Sequence, residues 1–128
     1  MVMRILVTRY FARIAEHEGL TDKAICKAVE ELESGLHDGN LGGNVYKKRL
    51  GIGSSGKRGG MRTIVAMRLP SNVFFLYGYP KNDKGNITNE ELMAFRKVAK
   101  SYLPMDAKAI DHLIKRGELV EVKRHEKK

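Results

Sequence analysis

The residues best suited to chemistry in this chain are cations and tyrosines concentrated between residues 45 and 84. This segment has one acid, Asp83, and supplies +8 of the formal net charge of +9. Its nine cations are Lys47, Lys48, Arg49, Lys57, Arg58, Arg62, Arg68, Lys81 and Lys84. Because Lys and Arg bind phosphates and release their counterions, the segment predicts a polyanion-binding patch. A second interpretation, a charged face that only keeps the protein soluble, stays open at this point.

Arg, Lys and Tyr side chains suit one reaction in particular, the attack of an RNA 2′-hydroxyl on its own neighbouring phosphate. The RNA supplies the nucleophile, so the protein has to position the strand, stabilise the charged phosphorane and move two protons. Neighbouring cations can also lower the pKa of a Lys or Tyr, which makes that residue a better base. Tyr46, Tyr77 and Tyr79 lie among the cations of the segment.

The sequence matches the motifs of nucleotide-binding and metal-binding sites poorly. Gly51, Gly56, Lys57 and Arg58 resemble a phosphate-binding G-x-x-x-x-G-K-[ST] loop, but Arg58 stands where a hydroxyl is needed and a strand follows instead of a helix. Residues 51–60 are therefore predicted to form a flexible basic hairpin tip. The four His residues are scattered and Cys26 is the single cysteine, so no metal, cofactor or internal disulfide is predicted.

The hydrophobic pattern predicts a single α+β domain, in which a small twisted antiparallel sheet carries two N-terminal helices and a C-terminal helix. Strands are predicted at 3–8, 45–50, 61–69, 73–79 and 118–123, and helices at 9–19, 21–36, 88–103 and 107–116. Residues 1–104 are taken as the main body and 105–128 as an appendage of the same domain. The apolar side of the first helix includes Tyr10, and the apolar run 74–76 predicts a central strand.

Strand alternation places Lys47 and Arg49 on one face of the sheet and Lys48 on the other, where it is predicted to be solvated. Thr21 and Thr88 are predicted N-caps, and Thr88 with Glu91 forms a capping box. No apolar run is long enough to span a bilayer, and nothing resembles a signal peptide, so a cytoplasmic protein is expected.

Several phrases resemble one family of proteins. LGGNVYKKRLGIGSSGKRGGMRTIVAMR, FFLYGYPKND and NITNEEL are similar to the RelE/HigB-type toxins of bacterial toxin–antitoxin pairs, in the branch of RelE-like cytotoxic translational repressors. FARIAEHEGLTDKAICKAVEELESGL and GELVEV resemble the same branch. The resemblance implies a microbial-RNase-like sheet that cuts mRNA in the ribosomal A site. It also implies a cognate antitoxin that neutralises the toxin in a hetero-oligomer.

The resemblance also implies roles for individual residues. Lys47 and Arg49 match the strand that contacts RNA, and Arg62 matches the arginine that steadies the scissile phosphate. Asn82 and Ile87 stand near the places where better-studied relatives have an arginine and a tyrosine. The predicted catalytic residues are Arg62, Lys81 and Tyr79, and the predicted RNA-binding residues are Lys47, Arg49, Lys57, Arg58 and Lys84.

Alternatives remain for these residues and for the function. Arg62 can also be a structural cation at the sheet edge, and Tyr77 a tyrosine of the core. The chain can also be a non-catalytic member of the RelE/ParE superfamily that binds nucleic acid or an acidic partner. A third alternative is a toxin that poisons another target, as gyrase-directed ParE relatives do.

Overall fold

The computed structural model describes residues 2–52, 60–80 and 85–124. These residues form six strands and four helices. The strands are β1 (Ile5–Thr8), β2 (Gly39–Asn40), β3 (Val45–Leu50), β4 (Met61–Met67), β5 (Val73–Pro80) and β6 (Leu119–Val122). The helices are α1 (Arg9–Glu18), α2 (Asp22–Glu33), α3 (Asn89–Tyr102) and α4 (Ala107–Lys115). The α+β prediction is confirmed. No helix within the described ranges is long and apolar enough to cross a membrane.

The strands form one sheet in the order β2-β3-β4-β5-β1-β6. Strand β1 runs parallel to β5, and the other neighbouring pairs are antiparallel. The sheet is therefore mixed, where a wholly antiparallel sheet was expected. Short hairpins enforce antiparallel pairing, but two helices and three strands separate β1 from β5 along the chain, which leaves room for a parallel pair.

Strand β5 is central, as its apolar run predicts, and it separates two hydrophobic cores. Phe75 faces the core that contains Phe11 of α1 and Val29 of α2. Phe74 faces the opposite core, together with Ala99 of α3 and Ile110 of α4. Both faces of the sheet centre are thus covered by helices, which is why β5 needs no polar position.

Helix α1 lies unusually close to β5. At Gly78, a Cβ atom would lie 2.6 Å from Met61 Cε and 3.0 Å from Phe11 Cε2, which is too close for a side chain. Thr8 fixes the start of α1, because its hydroxyl donates to the Leu76 carbonyl at 2.9 Å and accepts the Phe11 N–H at 3.1 Å. The first turn of α1 is therefore held against β5.

Most helix ends match the predicted caps. Thr21 caps α2, and Thr88 forms the predicted capping box with Glu91. The prediction that the second helix extends to Leu36 is wrong, because α2 ends at Glu33 and Gly35 adopts a φ of 84°. Such a left-handed conformation ends a helix and leaves Leu36 exposed.

Candidate nucleic-acid interface

Three of the predicted site residues form one row across the sheet. Arg62 on β4 pairs in register with Arg49 on β3 and with Tyr79 on β5. Directly opposed residues in an antiparallel ladder share a face, with Cβ atoms about 5 Å apart. Residues that are up to 30 positions apart in sequence are thus neighbours on one surface.

Lys47 and Tyr77 extend this surface along the strands. Ile64 pairs with Lys47 on one side and with Tyr77 on the other, two residues from the first row. Strand alternation places both on the face that carries Arg49 and Tyr79. We call the set Lys47, Arg49, Arg62, Tyr77 and Tyr79 the basic face; it is the face on which α3 packs.

Arg62 is held with part of its guanidinium unsatisfied. Its Nη1 donates to the Gly85 carbonyl oxygen at 2.7 Å. Its Nε is buried, and no acceptor among the described residues lies within hydrogen-bonding distance. An unsatisfied buried donor costs about 1–3 kcal/mol. An anion that accepts a hydrogen bond from Nε would therefore gain more binding free energy here than at an exposed arginine.

The other two cations each contact one polar side chain that a phosphate could replace. Arg49 Nε lies 3.4 Å from Asp38 Oδ1, with the Arg49 side chain 49% exposed. Lys47 Nζ donates to Asn86 Oδ1 at 2.9 Å, and Lys47 is half-buried. Exposed ion pairs contribute about 0–1 kcal/mol, so breaking the Arg49–Asp38 ion pair costs little free energy.

Lys48 and Tyr46 lie on the opposite face and do not belong to this interface. Lys48 is 2% exposed, its Nζ lies 2.7 Å from Glu31 Oε1, and it donates to the Leu36 carbonyl oxygen at 2.9 Å. The prediction that Lys48 is solvated is therefore wrong, because α2 and the turn after it cover this face. Its separation from Lys47 and Arg49 is confirmed.

The two tyrosines of β5 belong to an aromatic cluster on the basic face. Tyr77 lies 5.7 Å from Tyr79 and 5.3 Å from Phe95 of α3, between ring centroids. Tyr79 is 3% exposed, whereas Tyr77 is half-buried. The structure therefore brings Tyr79 beside Arg62 but covers its ring.

Tyr10 is the residue of this cluster that the sequence pattern assigned differently. It was predicted on the apolar side of the first helix, yet it is 51% exposed and its ring stacks on Tyr77 at 5.2 Å and 13°. Phe11 takes the buried position instead. Consecutive helical residues point about 100° apart, so Phe11 faces the core beneath α1 while Tyr10 lies on the side of the helix that faces Tyr77.

Four predicted site residues lie outside the described residues: Lys57, Arg58, Lys81 and Lys84. The predicted glycine-rich hairpin tip also falls largely in that part of the chain. Within the described ranges, no three His, Cys, Asp or Glu side chains lie close enough together to hold a metal ion.

A family model described as "RelE toxin of RelE / RelB toxin-antitoxin system" matches residues 3–122 of the chain. The matched range runs from just before β1 to the end of β6 and so includes the whole sheet. A comparison with curated proteins found no match.

Proposed function

The chain belongs to the RelE family of toxins from RelE/RelB toxin–antitoxin systems, and from this premise we propose that it is a ribosome-dependent mRNA endoribonuclease. Family membership makes the chain a toxin with a cognate antitoxin. The proposal adds the chemistry: cleavage of translated mRNA without a cofactor, and hence inhibition of translation.

One observation carries the proposal. Arg62, whose buried Nε has no acceptor among the described residues, lies between Arg49 and Tyr79 in a single cross-strand row. The alternative of a structural cation at the sheet edge does not fit, because β4 lies between β3 and β5. A purely structural cation would also be expected to satisfy its donors within the protein. An arginine that keeps a directed donor for a ligand suits the phosphate of an RNA strand.

The reaction proposed for this face needs cations that stabilise the charged phosphorane and two further groups that transfer protons. The 2′-oxygen attacks the adjacent phosphorus, its proton passes to a general base, and the bond from phosphorus to the 5′-oxygen breaks. A general acid protonates that 5′-oxygen, which leaves a 2′,3′-cyclic phosphate and a 5′-hydroxyl. We assign stabilisation of the phosphorane to Arg62 and proton transfer to Tyr79 or Lys81.

The remaining cations are assigned to binding. Lys47 and Arg49 lie one strand away from Arg62 and would hold the phosphates that flank the scissile one. Lys57, Arg58 and Lys84 stay predicted RNA-binding residues. The dependence on the ribosome rests on family membership, and the net charge of +9 is compatible with a surface that docks on ribosomal RNA.

The proposal is tested by inducing the wild type, Arg62→Ala and Arg68→Ala in growing bacteria and mapping mRNA 5′ ends during the first minutes. Arg68 is an exposed cation of the same segment that follows β4, so it controls for loss of one charge. We expect the wild type and Arg68→Ala to arrest growth with new 5′ ends inside translated regions. Loss of a transition-state contact should lower cleavage by Arg62→Ala by about 10²–10³-fold.

Circular dichroism and thermal unfolding of the purified proteins establish that each variant is folded. Growth arrest by the wild type without new 5′ ends would contradict the nuclease proposal and favour a non-catalytic toxin. Equal cleavage by folded Arg62→Ala would show instead that Arg62 is a structural cation.

A further inference from the structure

An aromatic groove opens beside the basic face. It encloses about 350 Å³ and is lined chiefly by the rings of Tyr10, Tyr77, Phe95 and Tyr102. These rings come from α1, β5 and α3, so the groove lies where two helices meet the sheet. We define the aromatic groove by these four residues.

The rings are arranged as a stacking platform. Tyr10 and Tyr77 are nearly parallel, with an interplanar angle of 13°, and Phe95 lies 5.3 Å from Tyr77 on α3. Tyr10 is 51% exposed, although it sits in the first turn of a helix whose next residue, Phe11, is fully buried. Exposed aromatic rings of this kind are the usual platforms on which unpaired bases stack.

The groove lies next to the cross-strand row of Arg49, Arg62 and Tyr79. Tyr77 and Tyr79 point to the same face of β5 with ring centroids 5.7 Å apart, and Tyr79 pairs with Arg62. A base in the groove and a phosphate on Arg62 would therefore belong to the same nucleotide or to adjacent ones.

Cations line a second cavity next to the groove. A neighbouring cavity of about 340 Å³ is lined by Arg9 and Arg13 together with Tyr10, Tyr102 and one acid, Glu118. Burial raises the pKa of Tyr102, and nearby Glu118 raises it further.

We propose that the aromatic groove binds one unpaired nucleobase of the RNA strand, next to the phosphate that lies on Arg62. This inference rests on the proposed function, because it names a specificity site for the same substrate. A base suits the groove better than a protein helix, because the groove is lined mainly by aromatic rings and cations line the cavity next to it. A helix-binding groove accommodates apolar anchors from successive turns of the helix.

The test uses the full chain and a short single-stranded oligoribonucleotide that contains 2-aminopurine, a fluorescent base. A 2′-deoxy sugar at that nucleotide removes the nucleophile and prevents cleavage there. The variants are Tyr10→Leu, which removes the ring, and Tyr10→Phe, which keeps it. Tyr46→Leu is the matched control, since Tyr46 is a half-buried tyrosine on the opposite face. Cellular 5′-end mapping of the same variants gives an independent readout.

We expect the wild type, Tyr10→Phe and Tyr46→Leu to quench the 2-aminopurine fluorescence on binding. Tyr10→Leu should not quench it and should bind about ten-fold or more weakly. Its cellular cuts should be fewer and spread over more sequence contexts.

Two results would overturn the inference: no quenching by the folded wild type, or wild-type behaviour of Tyr10→Leu toward RNA. If Tyr10→Leu kept its RNA behaviour but bound the antitoxin more weakly, the groove would be a protein-docking site instead. Quenching without any cellular cleavage would uphold the base site and contradict only the nuclease function.

Discussion

Arg49 and Arg62 lie directly opposite each other on β3 and β4. Like charges in a cross-strand pair destabilise a sheet, and an apolar pair at the same place would favour folding. The protein offsets part of this cost with Asp38 beside Arg49 and the Gly85 carbonyl beside Arg62. A phosphate between the two guanidinium groups would remove the rest, which fits the proposed RNA-binding role of this pair.

Tyr79→Phe tests the role of a single hydroxyl. If Tyr79 transfers a proton, this variant should cleave mRNA about 10²-fold or more slowly, because the ring stays and only the proton donor is lost. The measurement is the rate of cleavage of a translated mRNA in a purified translation system. Thermal unfolding is measured in parallel, and its midpoint should stay close to that of the wild type.

Tyr46→Phe is the matched control, because Tyr46 is a half-buried tyrosine on the opposite face of the same sheet. It should cleave at nearly the wild-type rate. A Tyr79→Phe variant that cleaves normally but is less stable would identify Tyr79 as a core tyrosine, in line with its 3% exposure, and would leave proton transfer to Lys81.

Which residues share a face was predictable from sequence for β3 but not for β5. Alternation alone separates Lys48 from Lys47 and Arg49, as the structure confirms. In β5, however, Ile64 pairs with Tyr77 while Val65 pairs with Phe75, so Leu76 is an extra residue in the ladder. This bulge turns Tyr77 and Tyr79 to the face opposite Phe75. No periodicity in the sequence predicts the bulge.

At the scale of elements, the start of α3 organises the basic face. The segment before this helix supplies the Gly85 carbonyl to Arg62 and the Asn86 side chain to Lys47. Thr88 then caps the helix: its hydroxyl accepts the Glu91 N–H at 3.1 Å, and Glu91 Oε1 accepts the Thr88 N–H at 2.8 Å. The cap therefore fixes the position of the segment that holds two cations of the basic face.

Thr88→Ala should cost about 1 kcal/mol of stability, because the first turn of α3 loses its cap. It should also lower mRNA cleavage, since the segment that orients Arg62 and Lys47 is no longer fixed. The measurements are urea unfolding and the cleavage rate in the purified translation system.

Thr21→Ala is the matched control, because Thr21 caps α2 with the same geometry, accepting the Ala24 N–H at 3.1 Å. It should lose similar stability but cleave normally. Equal losses of cleavage in both variants would mean that the effect comes from stability alone and not from the placement of the α3 start.

The elements themselves were largely predictable, because their signals are local. Threonine caps, stop glycines and apolar spacing predicted α1, α3 and α4, and most of α2, close to their observed bounds. The parallel pairing of β1 with β5 was not predictable, since it depends on how distant segments pack. The same holds for the contact between Tyr10 and Tyr77, which joins α1 to β5.

At the scale of the whole molecule, ion pairs tie the two ends of the described chain together. Arg4, just before β1, donates to Glu121 of β6 at 2.8 Å and to Asp111 of α4 at 2.8 Å. Arg124, just after β6, pairs with Glu33 at the end of α2 at 3.0 Å. All three pairs lie at the edge of the sheet where β6 adds to β1 and stabilise that edge.

These pairs predict how stability depends on pH. The hydrogen bond from Arg4 lowers the pKa of Glu121, and the hydrogen bond from Arg124 lowers the pKa of Glu33. A carboxyl whose pKa is lower in the folded state stabilises the protein above the pKa it has when unfolded, about 4.3 for Glu. That contribution is lost as the pH falls through the folded-state value. We expect the free energy of unfolding to decrease progressively below about pH 4.5.

Glu121→Gln separates the pH dependence that comes from the Arg4–Glu121 pair from general acid denaturation. At pH 7 the variant should be about 1 kcal/mol less stable than the wild type, because a partly exposed charged pair is lost. At pH 3 the difference should narrow, since the wild-type carboxyl is becoming protonated as well. Urea unfolding at pH values from 7 to 3 measures the difference in stability between the variant and the wild type. Glu16→Gln is the control, because Glu16 is an exposed glutamate of α1. A stability difference that stays constant over this range would show that Glu121 acts through packing, and that the Arg4 pair does not link folding to pH.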